Sequence, residues 1–377
     1  MVTLHVDTET VWRGGPQQVL YTVMGLRALG QRAILVAPPD SELFRRMQEG
    51  DDLIPLSARA DIDMTAAWDL SRIIKRSAPD IVHAHEPRAM GLVTLALSIA
   101  APRPRPSFIV SHRTEARLPH SSFGRWAISE VDCFIANSRS LAARLRQDGV
   151  PVGRAVMVHE GVDVERVEAL EPANVHALLF LPTHAPVVGT VAPLVPQKGL
   201  HHLIDAVARV LRVLPDTRLV IVGDGPLRAS LEQHIRERHL ERHVFLAGFR
   251  EDAVAITKAF DLFVMSSISE GMCTALVDAM AAGRAAVATI VGGIPEVAAD
   301  GETAILVPAR DEGAMAEAIV TLLKDDARRA AMGQAALARA RAHFTIERMV
   351  QGTLDVYERM LNSTSPTRPA QSPQRTL

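Results

Sequence analysis

The chain is poor in cysteine, and neither sign of charge dominates. Among its 377 residues only Cys133 and Cys273 are cysteines, and neither belongs to a Cys-x-x-Cys pair. A disulfide framework and a thiolate metal site are therefore not expected, which suits a reducing cytosol. Lysine and arginine total 41 against 43 acidic residues, for a net charge of −2. Because nucleic-acid binders carry a basic excess, the balance argues against a nucleic-acid partner.

Long apolar runs and a secretory start are also missing. The most apolar stretch, 89–101, covers about 13 residues, fewer than the roughly 20 that span a bilayer as a helix, and predicts a core helix. Met1 is followed directly by a strand-like segment, without the basic start, apolar run and cleavage site of a secretory signal. We therefore expect a cytoplasmic protein.

Short β-branched runs alternate with helical patterns along the chain, which predicts parallel sheets built from β-α-β units. With 48% hydrophobic residues, a chain of this length exceeds one ordinary core and predicts two doubly wound domains, an α/β fold. The predicted strands of the first half are 4–7, 33–37, 81–85, 108–111, 133–136 and 156–159. Those of the second half are 187–191, 218–222, 244–247, 262–265, 286–289 and 304–307.

These patterns predict four segments in chain order. Residues 1–170 and 171–345 would form the two Rossmann-like domains, 346–361 a terminal helix, and 362–377, which is rich in Ser, Thr, Pro and Arg, a tail without a core. Ligands of open parallel sheets bind outside the carboxyl ends of the strands, so we expect an active site in the cleft between the two domains.

The stretch 269–283 carries the strongest functional signal, because it sets two carboxylates, Glu270 and Asp278, eight positions apart. Apolar residues before it predict a buried strand, and 274–282 predicts a helix that Gly283 ends. The free backbone N–H groups and the dipole of such a helix start attract a phosphate or diphosphate. The two carboxylates cannot bind phosphate and suit sugar hydroxyls on either side of it. The pattern indicates a nucleotide sugar.

This segment resembles the Glu-x7-Glu signature of retaining glycosyltransferases with the GT-B fold, specifically glycosyltransferase family 4. Two positions depart from it: the second acid is Asp278 instead of Glu, and the third position after Glu270 is Cys273 where proline is common. The resemblance implies that Glu270 orients the transferred sugar and Asp278 contacts the ribose. It further implies that Gly271, Met272, Cys273 and Thr274 bind the donor, and that the terminal helix 346–361 crosses back to the first domain.

Lys198 follows a predicted strand and opens a predicted helix, so we expect its ammonium to face the diphosphate. The family usually pairs this lysine with an arginine five residues earlier, but Pro193 stands there. Without that guanidinium, another basic residue substitutes, donor affinity falls, or catalysis is impaired. A solvated lysine at a helix start is the alternative interpretation of Lys198.

Three further loops of the second half match the family. Gly223, in Gly-Asp-Gly-Pro, would approach the nucleotide or merely allow a tight turn before a helix that Pro226 opens. Arg250 ends the segment that follows another predicted strand, and it would lie near the nucleobase of the donor or be a surface charge. The glycines of 291–296 would allow a turn beside the donor pocket or serve conformation only. In the first half, 160–163 resembles the Asn-Gly-Val-Asp that closes the first domain, with Glu160 in place of Asn.

The first domain is expected to hold the acceptor. Trp12, Arg13, Gly14 and Gly15 form a loop after the first strand that resembles the family's glycine-rich loop, with Gly15 facing the donor and the others the acceptor. A loop without a ligand is the alternative.

His85 ends a strand within a His-Glu-Pro match, and Pro87 would open the next helix. We assign His85 to a sugar hydroxyl, with His83 in reserve because it shares the same face. A satisfied core histidine is the alternative interpretation.

The stretch 103–154 contains nine basic and four acidic residues, and also Phe123 and Trp126. This stretch could touch anionic lipid at the inner face of a membrane or an acidic acceptor, or could be a solvated face.

The sequence thus predicts a metal-independent, retaining glycosyltransferase without a cofactor, which moves a sugar from a nucleoside diphosphate sugar to a hydroxyl of a glycan or glycolipid. Glu270, His85 and Lys198 would be its catalytic residues, and no protein nucleophile is invoked. A nucleotide-sugar 2-epimerase and a catalytically silent nucleotide-sugar-binding protein are the alternatives.

Overall fold

The computed structural model describes residues 1–47, 50, 52–60 and 62–364. The predicted tail lies outside the described residues from 365 onward, while 362–364 continue the terminal helix.

The first half of the chain forms a sheet of seven strands in the order β3-β2-β1-β4-β5-β6-β7. Its strands are β1 Val2–Val6, β2 Arg32–Ala37, β3 Leu53–Pro55, β4 Ile81–Ala84, β5 Ser107–His112, β6 Cys133–Ala136 and β7 Ala155–Met157. Pairing is parallel between β1 and both β2 and β4, between β2 and β3, and between β4 and β5. The edge strand β3 was not predicted, because its three residues are too few to show a period.

The second half forms a sheet of six parallel strands in the order β10-β9-β8-β11-β12-β13. Its strands are β8 Val187–Val191, β9 Arg218–Val222, β10 Val244–Gly248, β11 Leu262–Met265, β12 Ala286–Thr289 and β13 Ala304–Val307. All six were predicted, and only β10 differs in its bounds. The two sheets confirm the predicted Rossmann-like α/β fold.

Helices connect the strands. Those of the first half are α1 Gly14–Ala28, α2 Glu42–Arg46, α3 Met64–Ser77, α4 Pro87–Ala100, α5 Ser122–Glu130, α6 Arg139–Gln147, α7 Val164–Ala169 and α8 Val175–Leu178. Those of the second half are α9 Leu200–Val210, α10 Arg228–Glu237, α11 Ala253–Lys258, α12 Thr274–Ala281, α13 Ile294–Val297, α14 Glu312–Lys324, α15 Asp326–His343 and α16 Ile346–Thr364. The predicted core helix is α4. No helix among the described residues is long and apolar enough to cross a membrane.

Polar side chains begin many of these helices by binding free amide groups of the first turn. Asp63, for example, accepts from the amides of Thr65 and Ala66 at the start of α3. One predicted start was wrong: α10 begins at Arg228, not at Pro226, because the residues after Gly225 still belong to the turn.

The strands of the second sheet are continuous apolar runs in the sequence because both faces of the sheet are buried. Phe263 and Met265 of β11 pack into one hydrophobic cluster, and Leu262 and Val264 into another. Successive side chains of a strand point to opposite faces, so both faces of this sheet are covered.

The chain divides into two compact units. Among the described residues, unit 1 comprises 1–111, 119–135 and 350–364, and unit 2 comprises 112–118 and 136–349. Within unit 1, α16 packs closely on α1, since a Cβ added at Gly25 would lie 2.4 Å from a methyl group of Val350.

Candidate active site

In unit 2, Lys198 and Glu270 form a direct ion pair. Lys198 ends a short 3-10 turn after β8, and Glu270 lies in the loop after β11. Because β8 and β11 are neighbours in the sheet, the two loops leave it side by side. The Nζ atom of Lys198 donates to Oε1 and Oε2 of Glu270 at 2.6 and 2.8 Å. The sequence predicted both residues but not that they pair.

Both side chains of this pair are largely buried, with 17% of Lys198 and 9% of Glu270 exposed. Burial lowers the pKa of Lys198, but the charge and hydrogen bond of Glu270, together with Cys273, outweigh it, and the net pKa lies above the ordinary value. The ammonium is therefore fully charged at neutral pH. It supplies a compact cation next to the start of α12.

The amides at the start of α12 are available to a ligand. In the described part of the chain no acceptor takes the backbone N–H groups of Met272, Cys273, Thr274 or Ala275. Met272 and Cys273 are buried, whereas Thr274 is half-buried. Free amides at a helix start, with the helix dipole behind them, suit an anion.

Gly271 allows neighbouring backbone to approach this loop. A Cβ atom at Gly271 would lie 2.5 Å from the carbonyl oxygen of Arg113, closer than real Cβ contacts. Gly271 also accepts a hydrogen bond from the amide of Gly293 at 2.7 Å. The glycine turn of 291–296 thus does lie against the Glu270 loop.

Cys273 has a left-handed backbone, with φ at 73° and ψ at 74°. Proline, whose ring fixes φ near −65°, cannot adopt this conformation. The departure at this position from the family's common proline is therefore conformational. Burial raises the pKa of Cys273 well above its ordinary value, so we expect its thiol to stay protonated at neutral pH.

Asp278 lies on α12 one turn after Thr274, and its side chain makes no hydrogen bond among the described residues. Burial raises its pKa to about 7, and the nearby Arg166 opposes this shift only in part. The Asp278 carboxyl group is therefore only partly ionised near pH 7. Its assignment to a ribose hydroxyl stays a prediction.

Gly223 and Arg250 make contacts of their own. Gly223 has φ at 137°, donates from its amide to the carbonyl oxygen of Gly248, and would bring a Cβ atom to 2.0 Å from the Ala192 carbonyl. A turn that only glycine can make is sufficient reason for Gly223. Arg250 binds both carboxylate oxygens of Asp252 at 2.8 Å. Their predicted roles toward a donor remain untested.

Three polar residues that the sequence did not assign to the site lie in unit 2 near the same loop. Arg113, Asn137 and Glu160 follow β5, β6 and β7, which are neighbouring strands. Arg113 Nε lies 3.1 Å from Glu160 Oε1, with only 14% and 10% of these side chains exposed. Burial raises the pKa of Glu160, Arg113 and Asn137 lower it, and the charge of Glu270 raises it. The strand-end rule that selected Lys198 would also have found these residues.

In unit 1, His85 is buried in a cluster with His5 and His83. His85 Nε2 lies 3.0 Å from His5 Nδ1, and only 3% of His85 is exposed. His83 bonds Tyr357 Oη through Nδ1 at 2.6 Å and Ser111 Oγ through Nε2 at 2.9 Å. The ligand atoms of the three histidines lie within 4.8 Å of one another, a spacing that could hold a metal ion. The role of His85 toward a sugar stays a prediction.

The rest of the His-Glu-Pro motif has a structural explanation. Glu86 accepts hydrogen bonds from the amides of Arg88 and Ala89 and from the hydroxyl of Thr8, and so caps α4. Pro87 is the first residue of α4, as predicted. Burial raises the pKa of Glu86, and these hydrogen bonds oppose the shift.

The predicted acceptor loop opens α1. Gly14 and Gly15 already belong to the helix, which Arg13 precedes without a side-chain cap. The guanidinium of Arg46 lies over the Trp12 ring at 4.4 Å from its centre. A Cβ atom at Gly15 would meet nothing within 4 Å, so space is open at this helix start.

The basic stretch 103–154 is partly neutralised within unit 1. Arg105 pairs with Asp132 at 2.7 Å and lies 3.7 Å from Glu130. Phe123 and Trp126 pack edge to face at 5.7 Å, and 37% of Trp126 is exposed. Contact with a membrane stays a prediction.

Both halves of the chain match models of known protein families. Residues 12–166 match the family Glycosyltransferase Family 4, and residues 175–339 match Glycosyl transferases group 1. The chain is 29% identical to the phosphatidyl-myo-inositol mannosyltransferase of Mycobacterium leprae, over 83% of this chain and 84% of that protein. It is 28% identical to the lipopolysaccharide core biosynthesis glycosyltransferase LpsE of Rhizobium meliloti, over 77% of this chain and 76% of that protein.

Two solved structures share the fold. Anabaena HepE, crystallised with UDP-glucose, superposes with a TM-score of 0.81 at 22% identity, over 95% of this chain and all of that one. A glycosyltransferase from Rickettsia africae superposes with a TM-score of 0.83 at 18% identity, over 97% of this chain and 99% of that one. The two sheets described above are therefore those of the GT-B architecture.

Proposed function

The chain belongs to glycosyltransferase family 4 and is a glycosyltransferase of the GT-B type, and from this premise we propose the reaction. The enzyme moves a sugar from a nucleoside diphosphate sugar to a hydroxyl of a glycan or glycolipid, with retention of the anomeric configuration. The nucleotide sugar is a co-substrate, and neither a cofactor nor a metal ion takes part.

The observation that carries this proposal is the Lys198–Glu270 pair beside the unused amides of α12. A diphosphate bound to those amides would attract the ammonium of Lys198 as well. Glu270 would then release Lys198 and offer its two oxygens to hydroxyls of the transferred sugar. In the unloaded protein each member of the pair thus neutralises the other until the donor arrives.

Stabilisation of the leaving diphosphate is the catalytic effect that these groups supply. Negative charge grows on the diphosphate as the glycosidic bond breaks, and fixed N–H dipoles and an ammonium in a largely buried site stabilise it. Asp278 would hold the ribose, and we retain His85 as a ligand for a sugar hydroxyl. No side chain is proposed as a nucleophile.

The relatives support the substrate classes. HepE was solved with UDP-glucose, the Mycobacterium leprae protein is a mannosyltransferase of phosphatidyl-myo-inositol, and LpsE acts in lipopolysaccharide core synthesis. These names favour a sugar nucleotide as donor and a lipid-linked glycan or inositol as acceptor. A cytoplasmic enzyme at the inner face of a membrane would meet both substrates.

Donor binding is the first test. A bound donor stabilises the fold by about 2.7 kcal/mol at a hundredfold excess over Kd, so UDP-glucose or GDP-mannose should raise the melting temperature by several degrees. The donor that binds is then offered to a panel of lipid and glycan acceptors, with and without EDTA, and the anomeric configuration of the product is read by NMR. Binding without transfer to any acceptor would instead indicate a silent binding protein, and release of an isomerised free sugar an epimerase.

The second test replaces the carboxylate. Glu270→Gln keeps the size of the side chain but removes its charge, and we expect transfer to be lost while the protein still folds. Because Lys198 would keep a buried charge without a counterion, the variant should also melt at a lower temperature. Lys75→Met, which removes an exposed lysine from α3, is the control and should change neither property. Turnover at the wild-type rate in Glu270→Gln would reject the role of Glu270.

A further inference from the structure

The amide group of Asn137 has one possible orientation. Only 4% of the residue is exposed, and Nδ2 donates to the carbonyl oxygen of Arg113 at 3.3 Å. The side chain also hydrogen-bonds to Glu160. A carbonyl oxygen and a carboxylate both accept hydrogen bonds, so the NH2 group must face them, and an exchanged amide would set oxygen against oxygen.

The amide oxygen is therefore left over. Asn137 Oδ1 is buried and has no hydrogen-bond partner among the described residues. It lies at the Glu270 loop, since a Cβ atom at Gly271 would come within 3.2 Å of both Oδ1 and Nδ2. A buried acceptor without a donor is unfavourable and rare, so its persistence needs an explanation such as a ligand.

The groups around Oδ1 indicate the chemistry of that ligand. The charge of Glu270 raises the pKa of both Glu160 and Glu115, so three carboxyl groups lie in this region. Glu115 Oε1 is likewise buried without a partner. Lys198 is paired with Glu270, and Arg113 with Glu160. Unused acceptors next to carboxylates favour a neutral ligand that donates hydrogen bonds, and they disfavour another phosphate oxygen.

We propose that Asn137 Oδ1 accepts a hydrogen bond from a hydroxyl of the transferred sugar, which makes Asn137 a residue that selects the donor sugar. The inference rests on the proposed function, because the sugar reaches this position only if Glu270 and the α12 amides hold a nucleotide sugar. The Arg113–Glu160 pair holds the Asn137 amide in place and so acts as a positioning pair.

The test compares a donor with its own nucleotide. For whichever of UDP-glucose and GDP-mannose binds the wild type, calorimetry gives the Kd of the sugar nucleotide and of UDP or GDP alone. Asn137→Ala should weaken the sugar nucleotide by about tenfold, the loss of one hydrogen bond, and leave the nucleotide unchanged. Thr217→Val is the matched control, since Thr217 Oγ1 is also buried without a partner in unit 2, and it should change neither Kd.

A set of deoxy-sugar nucleotides locates the hydroxyl. One deoxy donor should bind the wild type about tenfold more weakly than the parent donor, and Asn137→Ala should bind the two equally. If the alanine variant does not fold, Asn137→Ser, whose shorter side chain also removes Oδ1 but keeps a polar group, takes its place and should likewise bind the two donors about equally.

Equal weakening of nucleotide and sugar nucleotide, or no weakening of either, would overturn the role of Asn137 while the proposed function stands. A wild type that binds no sugar nucleotide would overturn both.

Discussion

Asp278 should lower the stability of the protein in a pH-dependent manner. Its carboxyl group is half-buried on α12, and burial raises its pKa from 3.8 to about 7. An acid whose pKa is higher in the folded than in the unfolded state destabilises the fold once it is ionised. The penalty is absent below about pH 4, grows as the pH rises toward 7, and is constant above that.

The size of the penalty follows from the shift. One pKa unit corresponds to about 1.4 kcal/mol, so the rise from 3.8 to about 7 would cost roughly 4 kcal/mol at pH 8. Solvent screening of a half-buried group reduces this to about 2–4 kcal/mol. Asp278→Asn has nearly the same shape and cannot ionise, so it should recover most of that free energy at pH 8 and little at pH 4.5.

Thermal unfolding of the wild type and Asp278→Asn from pH 4.5 to 8.5 measures the effect. One kcal/mol shifts the melting temperature by about 2–4 °C in a domain of this size, so the variant should melt at least about 4 °C higher at pH 8. Asp69→Asn, which changes an exposed aspartate of helix α3, should track the wild type throughout. A gain of equal size at every pH would refute the reasoning, because it would arise from packing rather than from ionisation.

Two further predictions concern the cysteines. Cys273→Pro should unfold unit 2 or destabilise it by about 3 kcal/mol or more, because the backbone φ angle is 73° at this position. Cys273→Gly should stay folded, and circular dichroism and melting curves compare the two variants. A stable proline variant would contradict the left-handed backbone. Burial raises the pKa of Cys133 to about 11 and that of Cys273 well above its ordinary value, so neither thiol should react with Ellman's reagent at pH 8 until the protein is unfolded; prompt labelling of the native protein would show that a thiol is accessible.

The sequence by itself determined where most of the strands lie and that they form parallel α/β sheets. Five of the six strands from Val187–Val191 to Ala304–Val307 have the predicted bounds, because a buried parallel strand is a short apolar run between turn residues and leaves a local signal. The turn at Glu270 and Gly271 and the start of α12 at Thr274 were local in the same sense. The roles of Glu270 and Asp278, inferred from their spacing, stay predictions.

Only the tertiary structure decided which polar groups meet. Lys198 and Glu270 are 72 positions apart, and they pair because β8 and β11 are neighbours. Arg113, Asn137 and Glu160 likewise come together at the ends of β5, β6 and β7, and the first two lie against Gly271. Periodicity records which face of a strand is buried, but not which strand lies beside it. Strand order, which is set by the packing of helices over the whole sheet, therefore fixed the composition of the site.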